Sequence, residues 1–441
     1  MPNRLAPLLL ASLLAAPALA AQQAAEPLTL EQALELAAAN HETGGIAAAR
    51  LERAQAFRRQ ALAQLVPSLT ISGTYTRRAE EVTRVIDGDE VTVQAIDALA
   101  GQAVVESTLL DLRALPLIRA AGSSLEAQAA ESEELRRALA FDVADTYFAA
   151  LSAERLLGAA RRRVEVAAAT VEESTIRLEA GLANRNDRTR TELELATARL
   201  EVTQAESLVT STRLALGFLI GLPLEAGLLE PDPPPIPEGD RDALIERARR
   251  ASRELVALER RAAAARQSAL APRLGIVPTL DLRGLYRLTN EEGLSGRDED
   301  WNVALNLGWA LFDGGDRAAL AAQRDAEARE AELVFERRRR EIAVEVEAAL
   351  ADLTNAEAGR SQAAVRLEVA GENAEEVRER FKNGLATALE QADALVARFE
   401  AEAEVERQRF AVARARLALE RAVGLWPAAL EPTAATQEIE P

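Results

Sequence analysis

VPSLTISGTY, from Val66 to Tyr75, returns as VPTLDLRGLY, from Val277 to Tyr286. In the first copy Leu69, Ile71, Gly73 and Tyr75 alternate with Ser68, Thr70, Ser72 and Thr74. That period of two predicts a strand with one apolar face. In the second copy the alternation runs from Leu274 and Ile276 through Leu280 and Leu282 to Tyr286, set against Thr279, Asp281, Arg283 and Arg287. Other fragments repeat in the same order, each roughly 200 residues apart. STLLD ends at Asp111 and WALFD at Asp313. RLEAGLA (Arg177 to Ala183) returns as RFKNGLA (Arg380 to Ala386), and RLALGFLIG ending at Gly221 returns as RLALERAVG ending at Gly424. Copies this long are two halves of one architecture and not units of a small-repeat solenoid.

Each half reads as helix, two strands and a helical hairpin. Strands are expected at about 66–76, 101–110, 274–288 and 301–312. Trp301, Val303, Leu305, Leu307, Trp309 and Leu311 form the cleanest face. Asp87-Gly88-Asp89 marks a polar loop in the first half, and Asn290 to Asp300 is the corresponding loop in the second. Helices are expected over Thr29–Leu65, Arg113–Ala180, Arg188–Ile220, Asp240–Leu270, Asp316–Lys382 and Thr387–Val423. At 1.5 Å per residue the two long ones span about 100 Å and the return helices about 50 Å. Asp111 and Asp313 are expected to cap the long helices. Gly181 and Gly384 are expected to end helices with positive φ. The divisions that follow are a signal peptide at 1–20, a first repeat over 21–221 with its tip near 181–187, and a Pro-rich linker at 222–239. A second repeat covers 240–424 with its tip near 384–387, and a tail covers 425–441.

The signal reading rests on Arg4, the apolar run Leu8 to Leu14 and the small-x-small site Ala18-Leu19-Ala20. That run is too short to span a bilayer, and no other segment supplies the ~20 apolar residues of a transmembrane helix. A β-barrel remains open as a way to cross a membrane. There is no cysteine, so neither disulfide, thiol chemistry nor lipid attachment to an N-terminal Cys is expected. With one histidine, His41, a His-based metal or catalytic site is not expected, and no cofactor is implied. A formal charge of −19 argues against nucleic acid as a partner.

Strands of this length match the roughly 9 to 11 residues a β-strand needs to cross a membrane. Four strands cannot close a barrel, since the smallest have about eight, and open edges are not tolerated in hydrocarbon. Three chains sharing one barrel would give twelve strands. The fold class expected is therefore mainly α with a transmembrane β part, a homotrimer sharing a twelve-stranded β-barrel.

The chain resembles the TolC-type outer-membrane efflux proteins. The likeness is carried by LTLEQALELA followed by LVPSLTISG, by LFDGG at a strand-to-helix junction, and by the two Gly-centred hairpins ending in RLALGFLIG and RLALERAVG. It covers nearly the whole mature chain, through the order and duplication of motifs that are individually unspecific. The resemblance implies a passive, trimeric exit duct in the outer membrane of a Gram-negative cell, in contact with outer-membrane lipid. It implies that the β-barrel is continued by a long α-helical barrel, a large periplasmic extension. It implies a periplasmic adaptor and an inner-membrane pump of RND, ABC or MFS type as partners, in a tripartite efflux or type I secretion system.

The same resemblance points to the helix-to-helix turns as a periplasmic aperture. Glu390 and Asp393 match two acidic residues that line the family's entrance. They are i, i+3 on one helix, and threefold symmetry would make two acidic rings of them. Asp187 matches a family Asp that helps hold the closed tip. Its partner positions carry Phe381 and Ala386, where the family's closed form uses a Tyr and an Arg, so that lock is not available here. Arg185, Arg188 and Arg190 crowd the first tip instead, and the expectation is that Arg185 or Arg188 pairs with Glu390 or Asp393. Gly181, Leu182, Gly384 and Leu385 are the expected adaptor-docking tips.

Two other classes compete. A periplasmic coiled-coil adaptor would need a lipoyl-like β-module, and none is visible. An enzyme would need a nucleophile–base set, a metal spacing or a phosphate loop, and the sequence offers none.

Overall fold

The computed structural model describes residues 27–427 apart from 87, 182, 225 and 292–296. The expected signal peptide at 1–20, Leu182 and most of the C-terminal tail lie outside the described residues. The chain runs α1 (Leu30–Asn40), α2 (Glu42–Ala63), β1 (Ser68–Arg77), β2 (Val82–Ile86), β3 (Asp89–Gln94), β4 (Asp97–Leu110), α3 (Ala114–Glu179) and α4 (Arg185–Ile220). It continues α5 (Arg241–Ala251), α6 (Arg253–Leu274), β5 (Thr279–Thr289), β6 (Glu299–Gly308), α7 (Asp316–Lys382) and α8 (Ala388–Val423).

The strands of both halves join one antiparallel sheet in the order β1-β4-β5-β6. Its register aligns the apolar faces across all four strands. Leu69 pairs Val105, which pairs Gly284, which pairs Val303; Ile71, Ala103, Tyr286 and Trp301 form the next row. This face is bare in the single chain: Ile71 is 76% exposed and Trp301 71%. Within β6 it runs from Trp301 to Leu307, about 15 Å of height once a barrel strand's tilt is included, which lies within the ~25 Å apolar band of outer-membrane barrels. The opposite face is polar, with Ser72, Gln102, Arg287 and Asp300 in one row. There Arg283 meets Glu106 at 3.4 Å, and the Thr108 hydroxyl donates to Asp281 at 2.9 Å. Among the described residues no strand covers the outer edges of β1 and β6. No helix of the described residues is long and apolar enough to cross a membrane.

Several elements differ from the sequence reading. The loop after β1 contains the hairpin β2–β3, and β4 starts at Asp97, before the expected Gly101. Leu274 ends a helix and Ile276 lies in the turn before β5, so that strand begins at Thr279. The helix expected over Thr29–Leu65 breaks at His41, and the one expected from Asp240 breaks at Ser252. Both break residues are extended, and each side chain accepts a backbone N–H of the next helix: His41 Nδ1 from Thr43 and Ser252 Oγ from Leu255. Asp111 and Asp313 stand ahead of the N-cap position, which Arg113 and Gly315 occupy. Each still accepts backbone N–H groups where the helix begins: Asp111 from Arg113, and Asp313 from Gly315 and Arg317.

α3 and α7, with 66 and 67 residues, extend about 100 Å from the sheet. Partway along them lie two apolar cores, one built by α1, α3, α4 and α8 and the other by α5 to α8. Tyr147 anchors the first. Its hydroxyl donates to the carbonyls of Leu28 (2.7 Å) and Leu229 (2.5 Å), pinning a parallel bridge between the chain before α1 and the chain after α4. The phenol is 0% exposed, and burial pushes its pKa upward.

Candidate gate at the hairpin tips

Both long helices end at a left-handed glycine, Gly181 with φ +75° and Gly384 with φ +71°. Positive φ costs glycine little, and in this conformation the N–H groups of Gly181 and Gly384 turn back to Leu178 and Phe381. The return helices then start with matching capping boxes. Asn184 Oδ1 accepts from the Asp187 N–H while Asp187 accepts from the Asn184 N–H. Thr387 and Glu390 exchange the same two bonds. The Thr387 N–H and hydroxyl hold the Glu390 carboxyl below the usual glutamate range. Asp187 and Glu390 thus have a local task at the first turn of α4 and α8.

The contact across the tip differs from the expected one. Arg188 is bound to Glu192 on its own helix at 2.9 Å, and Arg185 forms no ion pair among the described residues. Arg190 is the arginine that reaches the other hairpin, with its guanidinium 3.4 Å from Asp393. Both members are exposed, at 46% and 65%, where an ion pair contributes only about 0–1 kcal/mol. The two positions correspond in the duplication, as α4 and α8 are both 36 residues long and begin at Arg185 and Ala388.

Sequence reasoning also missed the contact made by Phe381. Its ring is buried under Arg177, whose guanidinium carbon lies 4.0 Å from the ring centroid. Arg177 donates to the Phe381 carbonyl at 3.3 Å and to Glu173 at 3.0 Å. A cation held over an aromatic face is worth roughly 0.5–2 kcal/mol. Deeper in the first hairpin, Arg163 is 8% exposed and held by Glu194 and Glu201, and Ser174 bonds Thr191 at 2.9 Å. The sequence signal for these was the placement of polar residues on faces that must pack. Leu385 is 69% exposed beside Gly384, and Glu390 and Asp393 are exposed in the single chain.

A sheet with one apolar face, prolonged by two helical hairpins whose long arms extend about 100 Å, is the fold of solved outer-membrane channels. The outer-membrane channel OprN superposes with a TM-score of 0.77 at 21% identity, over 90% of this chain and 89% of that one. VceC of Vibrio cholerae, an outer membrane protein, gives 0.75 at 18%, over 90% and 96%. The open state of the MtrE outer membrane channel of Neisseria gonorrhoeae gives 0.75 at 19%, over 90% and 89%. The chain belongs to the outer membrane efflux protein family, whose sequence pattern matches residues 29–222 and 244–425 and skips the Pro-rich linker between the repeats. No curated protein matches it in sequence.

Proposed function

We propose that this chain is the exit duct of an envelope-spanning efflux or secretion system in a Gram-negative outer membrane. Three copies close twelve strands into one barrel, and their helices continue as a tunnel into the periplasm. The single observation that carries this is the sheet: four strands in the order β1-β4-β5-β6, apolar on one face, polar on the other and, among the described residues, unpaired at both edges. Hydrocarbon does not tolerate open edges, and four strands are too few to close. Cargo enters at the hairpin tips, delivered by an inner-membrane pump through a periplasmic adaptor. The adaptor meets the turns at Gly181 and Leu182 and at Gly384 and Leu385.

The gate lies at the same tips. Arg190 and Asp393 hold corresponding positions, so six such positions in a trimer alternate in charge around the aperture. Glu390 adds a ring of three carboxylates one helical turn from Asp393, and Asp187, Arg185 and Arg188 complete the charged rim. Rings of acidic groups favour cations. The test is to extract the protein from outer membranes, sediment it in detergent and record it in planar bilayers. Trimers with steady ion conductance are expected. A protein that salt or carbonate washes release from the membrane would instead be a periplasmic adaptor or structural component.

A further inference from the structure

The apolar face of the sheet carries a dent. Near the end of the strands away from the long helices, Gly73 of β1 pairs with Gly101 of β4, and Gly101 pairs with Leu288 of β5. The two glycines floor a groove of about 750 Å³, walled by Tyr75, Leu99 and Leu288, with Asn290 and Asp298 at its upper end. Hydrogen bonds hold this wall in place. The Tyr75 hydroxyl donates to Asp97 at 2.7 Å. The Asn290 side chain accepts from the Leu99 N–H at 2.7 Å and donates to the Asp97 carbonyl at 2.8 Å. β1 and β5 lie two strand spacings apart, about 9.6 Å, which leaves room for one extended hydrocarbon chain between Tyr75 and Leu288.

The backbone does not explain these glycines, because neither Gly73 nor Gly101 has a positive φ. Nor does close packing: among the described residues, a Cβ on Gly101 would meet nothing within 4 Å. The second repeat shows the filled alternative. Gly284 stands where Gly73 does, but Val105 and Val303 flank it, and a Cβ there would touch the Val105 Cβ at 4.0 Å. Val303 is the counterpart of Gly101. Glycine inside a strand weakens it and often marks the approach of a ligand.

In the proposed duct this face stands in the membrane, and chains join through strand edges, so a second copy does not cover the groove. α3 and α7 follow the opposite ends of β4 and β6, which places the groove in the outer leaflet. A fluid bilayer that fails to fill a dent forfeits dispersion contacts, and a chain seated along the dent regains them. Asp97, Asp298 and Glu299 are exposed at the rim above it. Carboxylates accept from hydroxyl and amide N–H groups and repel a bare phosphate. We propose that this groove is a lipid site, which takes one acyl chain of an outer-leaflet glycolipid whose amide-bearing sugar head donates to the rim. There is one site per chain and three per trimer. The proposal rests on the trimeric duct described above.

Gly101→Val gives β4 the residue that the second repeat carries, fills the floor and suits a strand. Gly73→Ala is a milder filling, and it carries the comparison alone if Gly101→Val does not assemble. Each protein is extracted from outer membranes in mild detergent, retained lipid is counted by native mass spectrometry, and its class is read by fragmentation. The parent should keep three glycolipids per trimer, Gly101→Val at least tenfold fewer, and Gly73→Ala an intermediate number. After delipidation, a purified acylated glucosamine disaccharide should raise the thermal midpoint of the parent and leave that of Gly101→Val in place, whereas phosphatidylethanolamine should shift neither. Three results overturn the proposal: equal retention by the parent and both variants, which marks ordinary annular lipid; retention of a glycerophospholipid instead; or no retained lipid together with no shift on adding the glycolipid. A parent that neither sediments as a trimer nor conducts in planar bilayers would refute the duct itself, a separate failure read without any lipid count.

Discussion

Gly221 lies so close to Asn40 that a Cβ on the glycine would come within 2.7 Å of the Asn40 Cβ. The second repeat reproduces this contact, with Gly424 against Ala251 at 2.6 Å. Both glycines are left-handed, with φ +71° and +82°, and each ends a return helix against the break of a helix pair. The recurring final Gly of RLALGFLIG and RLALERAVG is thus required twice over, by backbone conformation and by close approach. Gly221→Ala and Gly424→Ala should each lower the thermal midpoint of the detergent-solubilised protein clearly. Gly181→Ala supplies the control. It shares the positive φ, but nothing lies within 4 Å of where a Cβ would stand, so only the conformational cost of about 1 kcal/mol remains. Equal effects at all three sites would remove close approach from the explanation.

Tyr147→Phe should destabilise the middle of the molecule without disturbing its packing. The ring stays, while the Leu28 and Leu229 carbonyls lose a donor. The Leu28 carbonyl still accepts the Leu229 N–H, so the cost is that of losing the phenol's hydrogen bonding, on the order of 1 kcal/mol. Hydrogen exchange should quicken selectively at Leu28 and Leu229, whose N–H groups bond Gly227 and Leu28 across the bridge. Unchanged exchange there would show that the bridge does not depend on the phenol.

What the sequence disclosed and what it withheld divide along physical lines. Alternation exposed β1 and β6, because a half-buried sheet writes its two faces into consecutive residues, although β6 ends at Gly308 and not at the expected 312. The long helices were legible from uninterrupted length. The breaks at His41 and Ser252 were not, for Asn40-His41-Glu42 and Ala251-Ser252-Arg253 contain neither Gly nor Pro. Those breaks coincide with the approach of Gly221 and Gly424 from elsewhere in the chain, a tertiary cause. The hairpin β2–β3 carried a turn signal at Gly88, but strands of 5 and 6 residues are too short for their alternation to stand out. At the tip, sequence spacing placed Glu390 and Asp393 on one helix, yet it could not give the rotation of α4 against α8. That rotation selects Arg190 over Arg185 and Arg188 as the partner of Asp393.

Glu420 should make stability depend on pH. Its side chain is 1% exposed, its Oε2 has no hydrogen-bond partner among the described residues, and burial pushes its pKa from 4.5 to about 7. Between those values the folded chain keeps a proton that the unfolded chain releases, so this group's contribution to stability falls as pH rises from 4.5 to about 7 and then levels off. The loss is on the order of 3 kcal/mol per chain. Glu420→Gln should raise the melting midpoint at pH 8 and leave it nearly unchanged at pH 4.5. A variant that melts in parallel with the parent across that range would show that Glu420 is not the group responsible.

The Arg190–Asp393 contact predicts how the channel answers to charge and salt. Each exposed pair contributes about 0.5 kcal/mol, and three in a trimer total roughly 1.5 kcal/mol, about tenfold in the ratio of closed to open channels. Asp393→Asn should therefore raise open-channel time severalfold in planar bilayers at low salt. Salt near 1 M, where the screening length is about 3 Å, should shrink the difference between parent and variant. The exchange R190D/D393R reverses both charges at corresponding positions of the repeat, so it should restore the closed state that either single change loses. Arg185→Gln should have a smaller effect, as its guanidinium forms no ion pair among the described residues. If the exchange stays as open as the single variants, the attraction between these two side chains is not what holds the tip.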